Sequence, residues 1–235
     1  MNKVALVTGS SRGIGKNIIK KFAEENYDVI INYNKSEKEA NELKNQIINK
    51  NKVKVLSIKA DITNEKEIKN MIARIVKEFG KIDVLVNNAS IALDNLIGDK
   101  TKEEFMKVLE TNVVGTFLTI KYASKYLNNG IIINISSTDA VDTFNELSID
   151  YCASKAAINS LTQTLSLALP NIKIISLMPL WVNTDTIKEM NQNYLLNELK
   201  RTNQKRLLEE QEVANKVVEL VNSDILSGSI VRMVE

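Results

Sequence analysis

Tyr151 and Lys155 stand four residues apart in Tyr151-Cys152-Ala153-Ser154-Lys155, and the residues that follow, to about Leu169, keep helical periodicity. That spacing puts both side chains on one helix face. A phenol with its ordinary pKa of about 10 is a poor acid or base at neutral pH, but a fixed ammonium beside it is expected to stabilise the phenolate and pull that pKa down. Tyr151 could then exchange a proton with a substrate oxygen. A Tyr-x-x-x-Lys pair alone says little, because any helix can carry one on a partly exposed face. Ser136-Ser137 closes an apolar run just upstream, and a hydroxyl there can donate to a carbonyl oxygen. The chain contains no histidine. That removes the commonest general base, the usual catalytic triads and most transition-metal sites, and leaves proton chemistry to Tyr, Lys, Asp or Glu.

A second constellation lies at the start. Thr8-Gly9-Ser10-Ser11-Arg12-Gly13-Ile14-Gly15 follows the apolar run 3–8 and leads into helical periodicity over 14–26. Glycines there can adopt positive φ and let the backbone approach a pyrophosphate, whose charge the unpaired amides of a helix start can hold. The plain alternative is a tight turn. The G-x-x-x-G-x-G spacing differs from the general dinucleotide fingerprint. No acid follows the second strand to take the ribose hydroxyls; the sequence there is Asn32-Tyr33-Asn34-Lys35-Ser36. Asp28 opens that strand instead and reads as a solvated turn residue at the wrong edge. Arg12 with Lys35 and Ser36 could neutralise and hydrogen-bond a 2′-phosphate, which favours NADP(H) over NAD(H). Lys35 can equally be a surface lysine.

These residues need elements to position them. Apolar runs at 3–8, 28–33, 53–60, 82–87, 130–136, 172–178 and 229–234 predict seven strands, and because they do not alternate they predict parallel strands covered on both faces. Helical stretches between them complete an α/β fold, a Rossmann-like doubly wound parallel sheet with helices on both faces. Ser36 to Glu39 and Thr101 to Glu104 are potential capping boxes. Ile68, Met71, Ile72, Ile75 and Val76 form one apolar stripe on a helix over 64–79, and a long helix is predicted over 101–128. Asn112 falls inside it, where asparagine has poor propensity and can be simply exposed. Asn87-Asn88-Ala89-Ser90 ends the fourth strand, either as an Asx-type turn or at the edge where ligands of such sheets collect.

Composition sets the bounds. The 235 residues are 44% hydrophobic and 26% charged, with a net charge of +2, which describes a globular chain without an electrostatic case for nucleic acid or an anionic membrane. Two prolines and eight glycines supply no flexible linker, so residues 1–235 read as one domain. The single cysteine, Cys152, excludes an internal disulfide and, with no histidine, a zinc site; a buried small residue is its plainest reading. No run approaches a membrane span or a signal peptide. A cytoplasmic protein without a metal is the expectation.

With these motifs in order, the chain resembles the short-chain dehydrogenase/reductase family, closest to the 3-oxoacyl-[acyl-carrier-protein] reductases, over nearly its whole length. The family's T-G-x-x-x-G-x-G falls on Thr8, Gly9, Gly13 and Gly15, its adenine-contacting aspartate on Asp61 beside Ile62, and its N-N-A-G on Asn87, Asn88, Ala89 and Ser90. Its catalytic residues fall on Asn112, Ser137, Tyr151 and Lys155. The resemblance implies hydride transfer between nicotinamide and a carbonyl or alcohol carbon. Tyr151 would protonate the oxygen, Ser137 would hydrogen-bond it, Lys155 would bind the nicotinamide ribose, and Asn112 would hold a water that reloads the proton through Lys155. Cofactor contacts would come from Ser11 and Ile14 in the loop, from Asn34 beside Lys35 and Ser36, and from Pro179, Val182 and Thr184 of a P-G-x-V-x-T-like stretch.

Three residues depart from the family pattern, each adding a side chain: Ser90, Ala140 and Leu180 stand where glycine is usual. Leu180 could narrow the pocket. The turn Asn128-Asn129-Gly130 and the stretch 167–170 lack the arginines that carrier-dependent relatives use for docking. The end at Val234-Glu235 lacks a glycine pair associated with tetramers. Residues 186–206 occupy the place of a variable substrate lid, whose Met190, Tyr194, Leu195 and Leu196 either face substrate or pack; Trp181 is either pocket wall or core. The leading expectation is an NADPH-dependent reductase of a 3-oxoacyl thioester, as a homotetramer or dimer, with a small-molecule or carrier-linked substrate. The alternatives are a reductase of another ketone, sugar or secondary alcohol, and a catalytically weak NADP(H)-sensing protein.

Overall fold

The computed structural model describes residues 2–233. Seven parallel strands form one sheet: β1 (Val4–Val7), β2 (Asp28–Tyr33), β3 (Val55–Lys59), β4 (Val84–Asn87), β5 (Ile131–Ile135), β6 (Lys173–Met178) and β7 (Ile230–Arg232), in the order β3-β2-β1-β4-β5-β6-β7. Each predicted strand is present; β2 keeps its predicted bounds, and the other six are one to three residues shorter where pairing lapses. Val234, the last residue of the seventh predicted run, and Glu235 lie outside the described residues.

The non-alternating pattern has a direct cause. Ala5 and Val7 of β1 with Val29, Ile31, Val84, Val86, Ile133 and Ile175 face one core, while Val4 and Leu6 with Ile30, Leu85, Ile132 and Ile174 face the other. Successive strand side chains point to opposite faces, so burial on both requires both parities to be apolar. The first core is closed by α1 (Gly13–Glu24), α2 (Glu37–Lys50) and the helix Glu210–Val221, the second by α3 (Glu65–Phe79) and α5 (Gly115–Ala123). On α3 the stripe Ile68, Met71, Ile72 and Ile75 is buried, and Asn64 caps it by accepting from the amides of Lys66 and Glu67. Among the described residues no helix is long and apolar enough to cross a membrane.

The sheet order makes the chain run one way from β1 to β3 and the other way from β4 onward. The reversal lies between β1 and β4, which pair directly from Ala5–Val84 to Val7–Val86. Loops leaving the carboxyl ends of these two strands must diverge, and the gap between them is a ready ligand crevice.

Three local expectations need correction. The helix predicted over 101–128 is broken into α4 (Lys102–Leu109), a π-helical turn at Glu110–Val114, α5 and a 3-10 turn at Ser124–Tyr126. Asn112 lies in the π turn, is 2% exposed and is therefore not a surface asparagine. Asp28 is buried, its carboxylate accepting from Asn2 Nδ2 at 3.0 Å and the Lys54 amide at 2.8 Å, so it staples neighbouring chain segments instead of facing solvent. Ser36 precedes α2 with ψ 63° and makes no side-chain capping bond, because its backbone is outside the extended region that aims an N-cap oxygen at the helix amides.

The other predicted capping box is formed. Thr101 Oγ1 accepts from the Glu104 amide at 3.1 Å, and Glu104 Oε2 accepts from the Thr101 amide at 2.9 Å. Thr101→Ala is expected to cost about 1 kcal/mol, and Ser36→Ala a few tenths at most, a difference that urea midpoints of the two variants will read.

Candidate active site

The loop after β1 is held by side chains on both of its flanks. Thr8 Oγ1 accepts from the amides of Asn88 at 3.0 Å and Ala89 at 3.1 Å, and Asn88 Nδ2 donates back to the carbonyls of Thr8 at 2.9 Å and Gly9 at 3.1 Å. On the β2 side, Asn32 Oδ1 accepts from the Gly9 amide at 3.1 Å and Asn32 Nδ2 donates to the Ala60 carbonyl at 3.0 Å. Ser10 Oγ accepts from the Asn32 amide at 3.2 Å and donates to the Val7 carbonyl at 2.8 Å. Asn32 and Ser10 were not among the expected site residues. Their signal in the sequence was a polar residue inside an otherwise apolar strand and a serine between two loop glycines.

The glycines have separate reasons. Gly9 and Gly13 both have φ of +60°. A Cβ on Gly9 would come within 2.9 Å of Ala89, and one on Gly15 within 2.6 Å of Asn88 Nδ2 and 2.7 Å of the Gly9 carbonyl. Tight packing of loop on loop leaves the start of α1 facing a cleft of about 890 Å³. No side chain caps that helix and no acid occupies its first turn, so its first amides stay available to an anion.

The cleft gathers most of the expected cofactor residues: Gly9, Ser11, Arg12, Gly13 and Ile14; Asn34, Lys35 and Ser36; Asp61 and Ile62; Asn88, Ala89 and Ser90; Pro179, Val182 and Thr184. Thr8 and Gly15 are not on its wall; they stand behind it and shape the loop. Burial alone would push the Asp61 carboxyl up, but hydrogen bonds from the Thr63 amide and hydroxyl and from Asn34 Nδ2 outweigh it and hold it below the ordinary range. Leu180 lines the cleft and packs on the first core. Ser90, Ala140 and Leu180 all have negative φ, so none of these positions requires a glycine backbone here. Trp181 lines the cleft, half-buried, as does Met190, whereas Leu195 is buried against its neighbours and Leu196 is exposed.

The same cleft contains Ser137, Tyr151 and Lys155. Ser137 follows β5, while Tyr151 and Lys155 lie on the first turns of α6 (Ile149–Ala168). Strand and helix are joined at this point: Lys155 Nζ donates to the Ile135 carbonyl at 2.8 Å and Ser136 Oγ donates to the Lys155 carbonyl at 3.0 Å. The ammonium sits over the Tyr151 ring, 5.2 Å from its centroid.

The expected lowering of the Tyr151 pKa is not what this arrangement produces. Burial pushes the phenol well above its ordinary value, the charge of Asp139 adds to that, and the Ser137 hydroxyl opposes it. Burial also lowers Lys155, to about 8, against an opposing effect of Asp139. Desolvation penalises both charged forms, and for the phenol it outweighs what the neighbouring ammonium contributes. The phenol therefore keeps its proton.

Asn112 does not line the cleft. Its Oδ1 accepts from the Ile91 amide at 2.8 Å, and its Nδ2 donates to the Ile91 carbonyl at 2.9 Å and to Ser154 Oγ at 3.0 Å. Its side-chain amide is thereby committed to protein groups, tying the 88–101 loop to α6. A second tie is ionic: Lys100 Nζ lies 2.9 Å from Asp150 Oδ2, the side chains being 3% and 0% exposed, and also donates to the Leu93 carbonyl. Asp150 Oδ1 accepts from the Tyr151 amide at 2.9 Å.

A doubly wound parallel sheet with a glycine loop at its reversal point, and a serine, tyrosine and lysine across the cleft, defines a dinucleotide-dependent oxidoreductase fold. The comparisons with known proteins give the particular family. Residues 3–195 match the short chain dehydrogenase family, and the chain belongs to it, a family of oxidoreductases that use NAD(P)(H). It is 35% identical over 227 residues to the 3-oxoacyl-[acyl-carrier-protein] reductase FabG of Staphylococcus epidermidis, covering 94% of this chain and 92% of the relative. It is 33% identical over 233 residues to glucose 1-dehydrogenase 2 of Bacillus subtilis, covering 94% and 88%. Among solved structures, a dehydrogenase/reductase from Sinorhizobium meliloti 1021 superposes with a TM-score of 0.92 at 28% identity, covering 98% of this chain and 93% of that one. A short chain dehydrogenase from Burkholderia cenocepacia J2315 in complex with NADP gives 0.91 at 28%, covering 98% and 96%.

Removing one partner of the buried Lys100–Asp150 pair leaves the other charge without compensation. Lys100→Met is expected to lose about 3–5 kcal/mol, and Lys100→Met with Asp150→Leu to recover most of it, as read from urea denaturation.

Proposed function

We propose that this chain is an NADPH-dependent reductase of a carbonyl, with a 3-oxoacyl thioester as its substrate class. The observation that carries the reading is the gathering of Ser137, Tyr151 and Lys155 in one cleft with the glycine loop. The names of the staphylococcal relatives support the thioester.

A nicotinamide dinucleotide, when bound, supplies hydride to the carbonyl carbon. The glycine loop and the open start of α1 would hold its pyrophosphate, Asp61 and Ile62 its adenine, and Lys155 its nicotinamide ribose. Arg12, Lys35 and Ser36 line the cleft where β2 ends, and together they favour a 2′-phosphate. Ser137 donates to the substrate oxygen and orients it. Tyr151, whose phenol burial keeps protonated, donates its proton to that oxygen as it becomes an alcohol, the work of a positioned general acid. Lys155 as ammonium supplies positive charge behind the phenol, and Asn112 acts as a positioning residue through Ile91 and Ser154. The same reading carries a homo-oligomer, a tetramer or a dimer, in which the exposed Val114 and Phe117 become covered; sedimentation of a monomer alone would contradict it.

A second reading is a hydroxylated ketone or sugar. Asp139 and Asn145 favour it, as polar groups lining the substrate end of the cleft, as does the name of the Bacillus relative.

Three measurements test the proposal. Tyr151→Phe is expected to lower kcat for NADPH oxidation with acetoacetyl thioester at least ~100-fold; full activity in the variant would remove the tyrosine from the reaction. Arg12→Ala and Lys35→Ala are expected to raise KM for NADPH about tenfold each and leave KM for NADH unchanged. Because Lys155 loses its proton near pH 8 in the folded protein while the phenol retains its own, kcat/KM for reduction is expected to fall as pH rises through about 8. In Lys155→Met the residual rate should lack that limb.

A further inference from the structure

Asp139 transfers no proton in the chemistry above, yet it stands beside the groups that do. It lies two residues after Ser137, on the 3-10 turn Thr138–Ala140 that leaves the carboxyl edge of β5. It lines the cleft together with Ser137 and Tyr151 and is near enough to act on the titration of both Tyr151 and Lys155. Its oxygen Oδ1 accepts from Thr143 Oγ1 at 2.7 Å, and its amide donates to Ser137 Oγ at 3.2 Å.

What it lacks is a cation. None of the ion pairs among the described residues involves Asp139. Arg201, whose charge it feels, is committed elsewhere: its Nη2 and Nε donate to Glu198 at 2.6 and 2.9 Å, and Nη2 also donates to the Thr143 carbonyl at 3.0 Å. A carboxylate offers about four acceptor sites, and hydroxyls of the protein use few of them. Burial meanwhile pushes this carboxyl up, hydrogen bonds from Thr143 and Ser137 opposing. A half-buried carboxylate with spare acceptor capacity is stabilised by a donor from outside.

We propose that Asp139 is a specificity-determining residue that accepts a hydrogen bond from an O–H or N–H group carried by the substrate close to its reacting carbonyl. The inference rests on the hydride-transfer reading and not on the thioester. One chemistry has two sources here: a hydroxyl next to the carbonyl of a hydroxylated ketone or sugar, or the amide N–H in the arm of an acyl thioester. The cleft also carries Asp94, whose carboxylate accepts from Ser148. An anionic group near the carbonyl would meet two carboxylates and be rejected.

The test uses matched pairs of carbonyl compounds with the full-length protein and NADPH. Hydroxyacetone against butanone probes the hydroxyl, and the S-(2-acetamidoethyl) against the S-pentyl ester of acetothioacetate probes the amide. For one pair, the ratio of kcat/KM between the donor-bearing and donor-less member is expected to fall at least about tenfold in Asp139→Leu. Asp139→Asn, which keeps an acceptor oxygen, should retain most of it. The pair that responds identifies the source of the donor. Calorimetric Kd values of the corresponding alcohols with NADP-loaded protein should change by the same ratio. Ratios unchanged within twofold for both pairs, including the case in which Asp139→Leu slows every compound equally, would overturn the role of Asp139. In that case turnover of butanone by the native chain and its loss in Tyr151→Phe would leave the hydride-transfer reading standing. No turnover of any of the four compounds would overturn both together.

Discussion

The reversal of strand order between β1 and β4 is the constraint on which the site depends. Two loops leave adjacent carboxyl ends and must diverge, yet they must also hold one surface for a ligand. The solution is a set of side chain to backbone bonds across the gap: Thr8 accepts two amides of the β4 loop, and Asn88 returns two bonds to carbonyls of the β1 loop. Neither side chain has to touch a ligand to matter. The close approach of Gly9 and Gly15 to the same residues shows how little slack remains, and why the loop can present backbone where a side chain would fill the space.

A second polar seam runs beneath the first, inside the apolar layers. Asn87 Nδ2 donates to Asn134 Oδ1 at 2.8 Å, Asn134 Nδ2 to Thr162 Oγ1 at 2.9 Å, and Ser176 Oγ to Asn159 Oδ1 at 2.7 Å. These bonds join β4, β5 and β6 to α6, so the helix that bears Tyr151 and Lys155 is located by directional contacts as well as by packing. Hydrophobic burial alone would allow that helix to slide, whereas a buried amide left without its partner is costly. The Lys100–Asp150 pair and the bonds of Asn112 restrain the same helix from its outer side.

Much of this was legible in the residues alone. Continuous apolar runs announced parallel strands because burial on both faces leaves no room for alternation, and the glycine spacing announced the loop because few residues adopt positive φ. Ser137 could be placed at the carboxyl edge and Tyr151 with Lys155 on one helix face from strand and helix periodicity, and the family resemblance joined the three. The illegible parts depended on distant partners. Burial of Asp28 comes from Asn2 and Lys54, the work of Asn32 from a loop 23 residues earlier, and the raised phenol from desolvation that no spacing rule contains. The break in the helix after Leu109 was hidden for another reason: α and π turns share composition and differ only in where one hydrogen bond lands.

That π turn has a consequence for how the chain tolerates change in length. A residue advances an α-helix by about 100°, so the extra residue accommodated at Glu110–Val114 sets the rotational phase of everything after it. With it, Leu118, Ile120 and Ala123 face the second core and Asn112 points inward. Deleting one residue from this turn would preserve a continuous helix of good local propensity while carrying those three side chains roughly a quarter turn around the axis. In this segment a single-codon deletion is therefore a larger perturbation than most substitutions, and the length of the segment is itself part of the site.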